Sequence, residues 1–370
     1  MVETIVLIRS NSLSYDPRVK KLARSISQRY NLLLLGWDRD LQHSRHEIKN
    51  SVEILRFPLR APYGRASLIL LYPIFWMWVF LILVSRRPEI IHACDFEALI
   101  PAVLFRYLFS TQLVFDSFDR FAMAFIPPSH YILYNLVNEL EDLSASKADC
   151  VITVSKQRLE SFRYKQRCST VIMNCSDNHP EAFQLASTTQ MSLQGDLTVV
   201  YAGAIAQDRG LVELANAIDK LQDVKFIIAG RIIHPGTYGA LRKAQSVQYV
   251  GLLSNEEALM LQAKASVIPL LYNPSQPINK VASPNKLFDA MMLGIPVITN
   301  VCKDIIEETS CGVVVELDEE HITQSLKGLM ESPELLRSLG QNGRAAFVQK
   351  YNWGMMEGKL FQVYQNLLSK

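Results

Sequence analysis

Leu197-Thr-Val-Val-Tyr-Ala-Gly203 runs through a short loop into Arg209-Gly210-Leu211, and this stretch decides the fold. A continuous β-branched run of this length reads as a buried strand of a parallel sheet. Glycine then lets the chain turn, and a helix over 210–221 follows. The unit repeats downstream. Strands are expected at 225–229, 248–250, 265–271, 296–299 and 313–315, with helices at 237–244, 255–262, 285–293, 319–330, 333–339 and 355–368. Strands that alternate with helices form a parallel sheet with right-handed crossovers.

Upstream the same alternation begins at Thr4–Ile8 and passes through strands at 31–35, 52–57, 89–92, 112–115, 150–154 and 170–173. The expected fold class is therefore α/β, with two tandem doubly wound Rossmann-like domains whose carboxyl strand ends face a cleft. The boundaries read as a first domain over 1–180, a polar linker over 181–195, a second domain over 196–350, and a final helical segment over 351–370 that packs back on the first domain. A chain of 370 residues is long for one core and natural for two.

The net charge of +2 gives no field for nucleic acid, so that class of partner is excluded. The six cysteines form no CxxC pair and none lies near a histidine at zinc spacing, which points to a reduced, cytoplasmic compartment. The N-terminus enters a strand directly, with no signal-peptide pattern.

Ala66–Ser85 reads ASLILLYPIFWMWVFLILVS, uncharged and about the length of a membrane span. It could cross the bilayer, pack as a core helix, or lie in one leaflet. Pro73 interrupts it, and Arg60, Arg65, Arg86 and Arg87 make both flanks basic, which opposes a span. Trp76 and Trp78 sit mid-run, and such rings favour the headgroup level. The expectation is a helix lying flat, making peripheral contact with the inner face of a membrane.

Two places carry chemistry. Arg209 sits where a strand-Gly203 turn meets a helix N-terminus, whose free N–H groups favour anions. In Ser283-Pro284-Asn285-Lys286-Leu287-Phe288-Asp289, proline opens a helix and puts Lys286 in its first turn. A lysine there opposes the helix dipole unless an anion lies between them. Asp289 follows one turn later on the same side, where a carboxylate can accept from ligand hydroxyls.

With Phe226-Ile-Ile-Ala-Gly230, Tyr249-Val-Gly251, Gly294-Ile-Pro-Val-Ile298, Asp16-Pro-Arg-Val-Lys20, Ile91-His-Ala-Cys-Asp95, Val114-Phe-Asp116 and Tyr351-Asn-Trp353, these segments make the chain resemble retaining glycosyltransferases of family 4, which have the GT-B fold. The resemblance implies a nucleotide-sugar donor held by the second domain. Arg209 and Lys286 would neutralise its diphosphate and Asp289 would hold its ribose. Gly251 and Leu252 would read its base, and Gly203, Ser283, Asn285 and Leu287 would line the donor site. It implies no metal and no cofactor, because two cations and a helix N-terminus replace the ion. The acceptor, a glycan or lipid-linked precursor, would meet Asp16, Arg18 and His92 of the first domain, with Asp95 and Asp119 as catalytic candidates. Three positions depart from the family. Val281 stands where the paired acid has Glu, Ala204 where many members have Arg, and Phe118 where many have His. A sugar-nucleotide epimerase of similar fold, or a degenerate nucleotide-binding subunit, are the alternatives.

Overall fold

The computed structural model describes residues 3–14, 16–62, 68, 70–127, 129–191 and 196–369. It divides into two units, residues 1–173 with 357–370, and residues 174–356.

The first unit runs β1 Thr4–Ile8, α1 Pro17–Ile26, β2 Asn31–Trp37, β3 His46–Lys49, β4 Val52–Phe57, α2 Tyr72–Arg86, β5 Ile90–Cys94, α3 Phe96–Leu108, β6 Gln112–Ser117, α4 Phe121–Phe125, α5 Tyr131–Ala145, β7 Cys150–Thr153, α6 Lys156–Glu160 and β8 Ser169–Val171. The eight strands lie in the order β3-β4-β2-β1-β5-β6-β7-β8. All neighbours are parallel except β3, which pairs antiparallel with β4 (His46 beside Leu55). The expected sheet had no such strand. His46–Lys49 has no buried residue, so no hydrophobic alternation marks it; the ladder with β4 makes it a strand.

The period-2 rule sorts the strands' side chains between two layers. Val6, Leu33, Ile91 and Phe115 point into a core shared with Phe75 and Val79 of α2, Leu99 and Ala102 of α3 and Ala145 of α5. Asp16 opens α1 as a true cap: its carboxylate accepts from the Val19 N–H at 3.1 Å, and Pro17 supplies the first turn.

The second unit runs α7 Pro180–Met191, β9 Leu197–Ala202, α8 Leu211–Ile218, β10 Val224–Ala229, α9 Pro235–Leu241, β11 Val247–Tyr249, α10 Asn255–Gln262, β12 Ile268–Leu270, α11 Pro277–Lys280, α12 Asn285–Leu293, β13 Val297–Thr299, α13 Lys303–Thr309, β14 Gly312–Val314, α14 Glu319–Glu331 and α15 Pro333–Gln349; α16 Trp353–Leu368 begins here, and its residues from 357 on belong to the first unit. Its strands form two parallel sets, β11-β10-β9 and β12-β13-β14, joined by a bridge between Val199 and Val267.

The expected linker is corrected. Residues 180–191 form α7, with Ala182, Ala186 and Gln190 buried and the Gln190 amide donating to Ala265 O at 2.8 Å. Ser187, Thr188 and Thr189 each donate back to the carbonyl four residues earlier, which lets a polar run stay helical. Residues 192–195, the rest of that linker, lie outside the described residues. At the other end, residues 357–370 belong to the first unit. There Tyr364 meets Tyr30 edge-on, and the Arg29 guanidinium lies 3.9 Å over the Phe361 ring.

The flat-lying reading of 66–85 is half corrected. Residues 66, 67 and 69 lie outside the described residues. Tyr72–Arg86 forms α2, whose Tyr72, Phe75, Val79 and Leu83 are core. Trp76 and Trp78 are half-buried and pack against that core, and Trp76 Nε1 donates to Glu97 O at 2.8 Å. Among the described residues no helix is long and apolar enough to cross a membrane.

Candidate functional site

In the second unit every strand pairing is parallel, so the carboxyl ends of its strands share one edge. Three strands there end at glycine. Gly203 follows β9, Gly230 follows β10 and Gly251 lies just past β11. Gly230 takes φ +134°, and a Cβ on it would sit 2.0 Å from Gly203 O, so no other residue lets these two backbones meet. Gly251, at φ +93°, has open space where a side chain would be, and Leu252 beside it is exposed. Backbone groups are therefore bare along this edge.

Two cations reach the same edge, each from the start of a helix. Lys286 is in the first turn of α12, and its ammonium rests on the backbone of β9. A Cβ on Gly203 would lie 2.5 Å from Nζ. Nζ also sits 4.8 Å over the Tyr201 ring. Arg209 precedes α8 and lies 4.5 Å over the Tyr272 ring, with Nη1 3.4 Å from Asp208 Oδ2. Asp208 is itself fixed by the Asn279 amide at 3.2 Å. Burial pushes the Lys286 pKa down to about 8, and the Arg209 charge pushes it the same way, with Asp289 opposing. Burial likewise raises the Tyr272 phenol to about 12, so it stays neutral beside the guanidinium. The two cations are thus held against their own repulsion, an arrangement that an anion stabilises. Ser283 Oγ is buried at the mouth of α12 with no hydrogen-bond partner among the described residues.

Other named residues of this unit fall as follows. Asp289 accepts a hydrogen bond from the Ser176 hydroxyl. Asn285 is exposed, whereas Leu287 has its side chain in the core and can offer a ligand only backbone. Tyr201, Tyr272, Asp208, Asn279 and Ser176 were not singled out from sequence. The aromatic preceding Gly203 and the Leu-Tyr-Asn after β12 were the available signals, but an aromatic near a strand end more often reads as core.

The first unit gives a different result. Arg18, expected to meet an acceptor, is buried in a bidentate pair with Asp116, at 2.8 Å and 3.1 Å, and also donates to Ile172 O at 2.8 Å. His92 is fully buried between Asp116 Oδ2 at 3.3 Å and the Tyr364 hydroxyl at 2.6 Å. Neither presents a group to solvent, so acceptor contact through Arg18 or His92 is corrected to a core role. Asp16 caps α1 and pairs with Arg9 at 3.1 Å. Asp95 also pairs with Arg9, and its Oδ1 accepts from Phe118 N at 2.7 Å and Asp119 N at 3.3 Å. These bonds hold Asp95 at φ 65°, ψ 169°, a conformation that ordinarily needs glycine. Asp119 is half-exposed and pairs with Arg158 at 3.2 Å. Phe118, where many family members have histidine, lies under two guanidinium groups, Arg9 at 4.6 Å and Arg18 at 5.0 Å.

Comparison with known proteins fits this geometry. Residues 196–332, which contain both Arg209 and Lys286, match the family described as Glycosyl transferases group 1. An MMP α-(1→4)-mannosyltransferase of Mycolicibacterium hassiacum is 29% identical over 126 residues, 32% of this chain and only 28% of that protein's length. The whole chain has the GT-B fold. It superposes on sucrose-phosphate synthase of Thermosynechococcus elongatus with a TM-score of 0.81 at 18% identity, covering 99% of each chain. Anabaena HepE, solved with UDP and glucose, gives 0.71 at 13% identity, covering 99% of this chain and 100% of the other.

Proposed function

We propose that this protein is a retaining glycosyltransferase that moves a sugar from a UDP- or GDP-activated donor to a lipid-linked or surface-polysaccharide precursor. The observation that carries the reading is the convergence of Lys286 and Arg209, from two helix starts, on the glycine-lined edge of the second unit. In this reading the donor's diphosphate lies between them. As the glycosidic bond to the sugar breaks, negative charge grows on the leaving phosphate. The ammonium, the guanidinium and the first N–H groups of α12 stabilise it without reorganising. Two fixed cations supply what a divalent ion supplies elsewhere, so the reaction proceeds without a metal. The match to group 1 transferases over 196–332 and the HepE complex with UDP and glucose support the donor class. Acceptor recognition belongs, in this reading, to the first unit. The six cysteines, none of them in a CxxC pair, support a reducing cytoplasmic setting.

The test is a screen of UDP- and GDP-sugars for slow hydrolysis and for transfer to membrane extracts. A transferase consumes one donor and labels an acceptor that survives dialysis. Turnover of UDP-N-acetylglucosamine to its epimer without any acceptor would identify an epimerase instead, and nucleotide binding with no turnover a degenerate subunit.

The pH dependence of binding has a fixed sign. An anion binds the protonated Lys286, whose pKa in the unliganded protein is about 8. The affinity for a UDP-sugar, whose esterified phosphates do not titrate near neutrality, is then flat at lower pH and weakens by up to about tenfold per unit once the pH passes that value, because the ammonium must first recover its proton. Calorimetry in buffers of different ionisation heat will show proton uptake above that pH. Constant affinity and no proton uptake through that range would mean that Lys286 does not face the phosphates.

A further inference from the structure

We propose that the outer layer of α2, α3 and α5 docks on an anionic lipid bilayer. These three helices lie side by side, α2 against α3 and α3 against α5. All three bury their inner sides in the same core on one face of the sheet. Their outer sides therefore point away from the sheet together. In an ordinary surface helix those sides would be polar. Here they carry Met77 and Leu81, Leu104 and Leu108, Leu136 and Leu140, each pair one helical turn apart and each residue 45–61% exposed. Single exposed leucines need no explanation, but aligned pairs on three adjacent helices make one continuous apolar face. Tyr107 is exposed on the same layer, a residue type that settles at headgroup depth.

Charge selects the occupant. Between Phe57 and Pro88 the sequence holds four arginines and no Asp or Glu. Arg60 precedes α2, and Arg86 and Arg87 close it, all three exposed. An apolar stripe closed by Arg86, which also pairs with Glu53 at 2.6 Å, and by Arg87 matches acyl chains beneath anionic headgroups. A second copy of the chain would bring these like charges together across a two-fold axis, which opposes self-pairing. The glycine-lined edge with its two cations plays no part in this surface, so the docking stands or falls apart from the transferase reading.

The experiment is sedimentation of the full chain with vesicles of phosphatidylcholine, alone or mixed with phosphatidylglycerol. Wild type is expected to pellet with the mixed vesicles, and less so as salt rises. Met77→Glu with Leu81→Glu, and separately Leu136→Glu with Leu140→Glu, should each lower the partition by about tenfold or more. Because all four positions are exposed, both variants should keep wild-type circular dichroism and UDP affinity. Wild type that stays in the supernatant with anionic vesicles overturns the proposal. So does undiminished vesicle binding by both double variants, or a dimer that the substitutions split while wild type ignores lipid. Vesicle binding in a protein that binds no nucleotide would instead overturn the donor-site reading and leave this one standing.

Discussion

Lys286→Met weakens UDP binding by about 30- to 1000-fold, corresponding to about 2–4 kcal/mol for removing one charge from a desolvated ion contact. The same substitution stabilises the unliganded protein by on the order of 1 kcal/mol. Both effects follow from one fact. The ammonium is seated between the Gly203 backbone and the Tyr201 ring, with another cation close by, so without a ligand it is a liability. Methionine keeps much of the shape and removes the charge. A lysine held there for structural reasons would behave oppositely, its loss lowering the melting temperature. Arg209→Ala should cost less, about tenfold, since its guanidinium is partly exposed and already shares Asp208. Calorimetric titration with UDP and GDP, paired with thermal unfolding of the free protein, reads both quantities. Unchanged affinity in Lys286→Met, or a clear loss of stability, would remove the diphosphate site.

Asp116→Asn should cost the first unit about 3–5 kcal/mol, the typical penalty for stripping the partner from a buried charge. Arg18 would keep its charge at 5% exposure with no carboxylate to meet it. Arg18→Met alone should cost a similar amount, whereas Arg18→Met with Asp116→Leu should recover much of the loss, because an apolar pair leaves no orphaned charge. Three of the four tryptophans, Trp37, Trp76 and Trp78, are in this unit, so fluorescence during urea unfolding follows it preferentially. The pH sign is also fixed. Burial alone would raise the Asp116 carboxyl, but Arg18 and His92 outweigh it and hold the pKa below its ordinary 3.8. The pair therefore contributes fully above that value, and the contribution fades as pH falls below it toward the folded-state pKa. If Asp116→Asn leaves stability unchanged while weakening the acceptor's KM, Arg18 is an acceptor residue after all.

The contrast between the two sites shows how far local pattern reaches. Gly203, Arg209 and Lys286 were legible because each is marked by its neighbours: a glycine ending an apolar run, a cation at a helix start, a proline opening a helix. Backbone geometry and dipole act within one turn, so the sequence window contains the cause. Arg18 and His92 look equally functional at their strand and helix ends. What neutralises them is Asp116 and Tyr364, brought from far along the chain. No window shows that.

Other failures have the same root. Helix α7 was read as a loop because its helical state draws on buried alanines and hydroxyls bonded to its own backbone. Strand β3 carries no pattern because it lies at an edge with both faces wet. Trp76 and Trp78 were given to the lipid because composition records which rings a helix has, not which way they turn.

Hydrophobic period, glycine placement and helix-opening residues are local quantities, and through them the sequence by itself determined the alternating α/β architecture and marked two cations at helix starts. Which buried charges are paired and which side of α2 is core depend on contacts between residues far apart in the chain. Those the tertiary structure alone decided, because desolvation and ion pairing are set by neighbours in space.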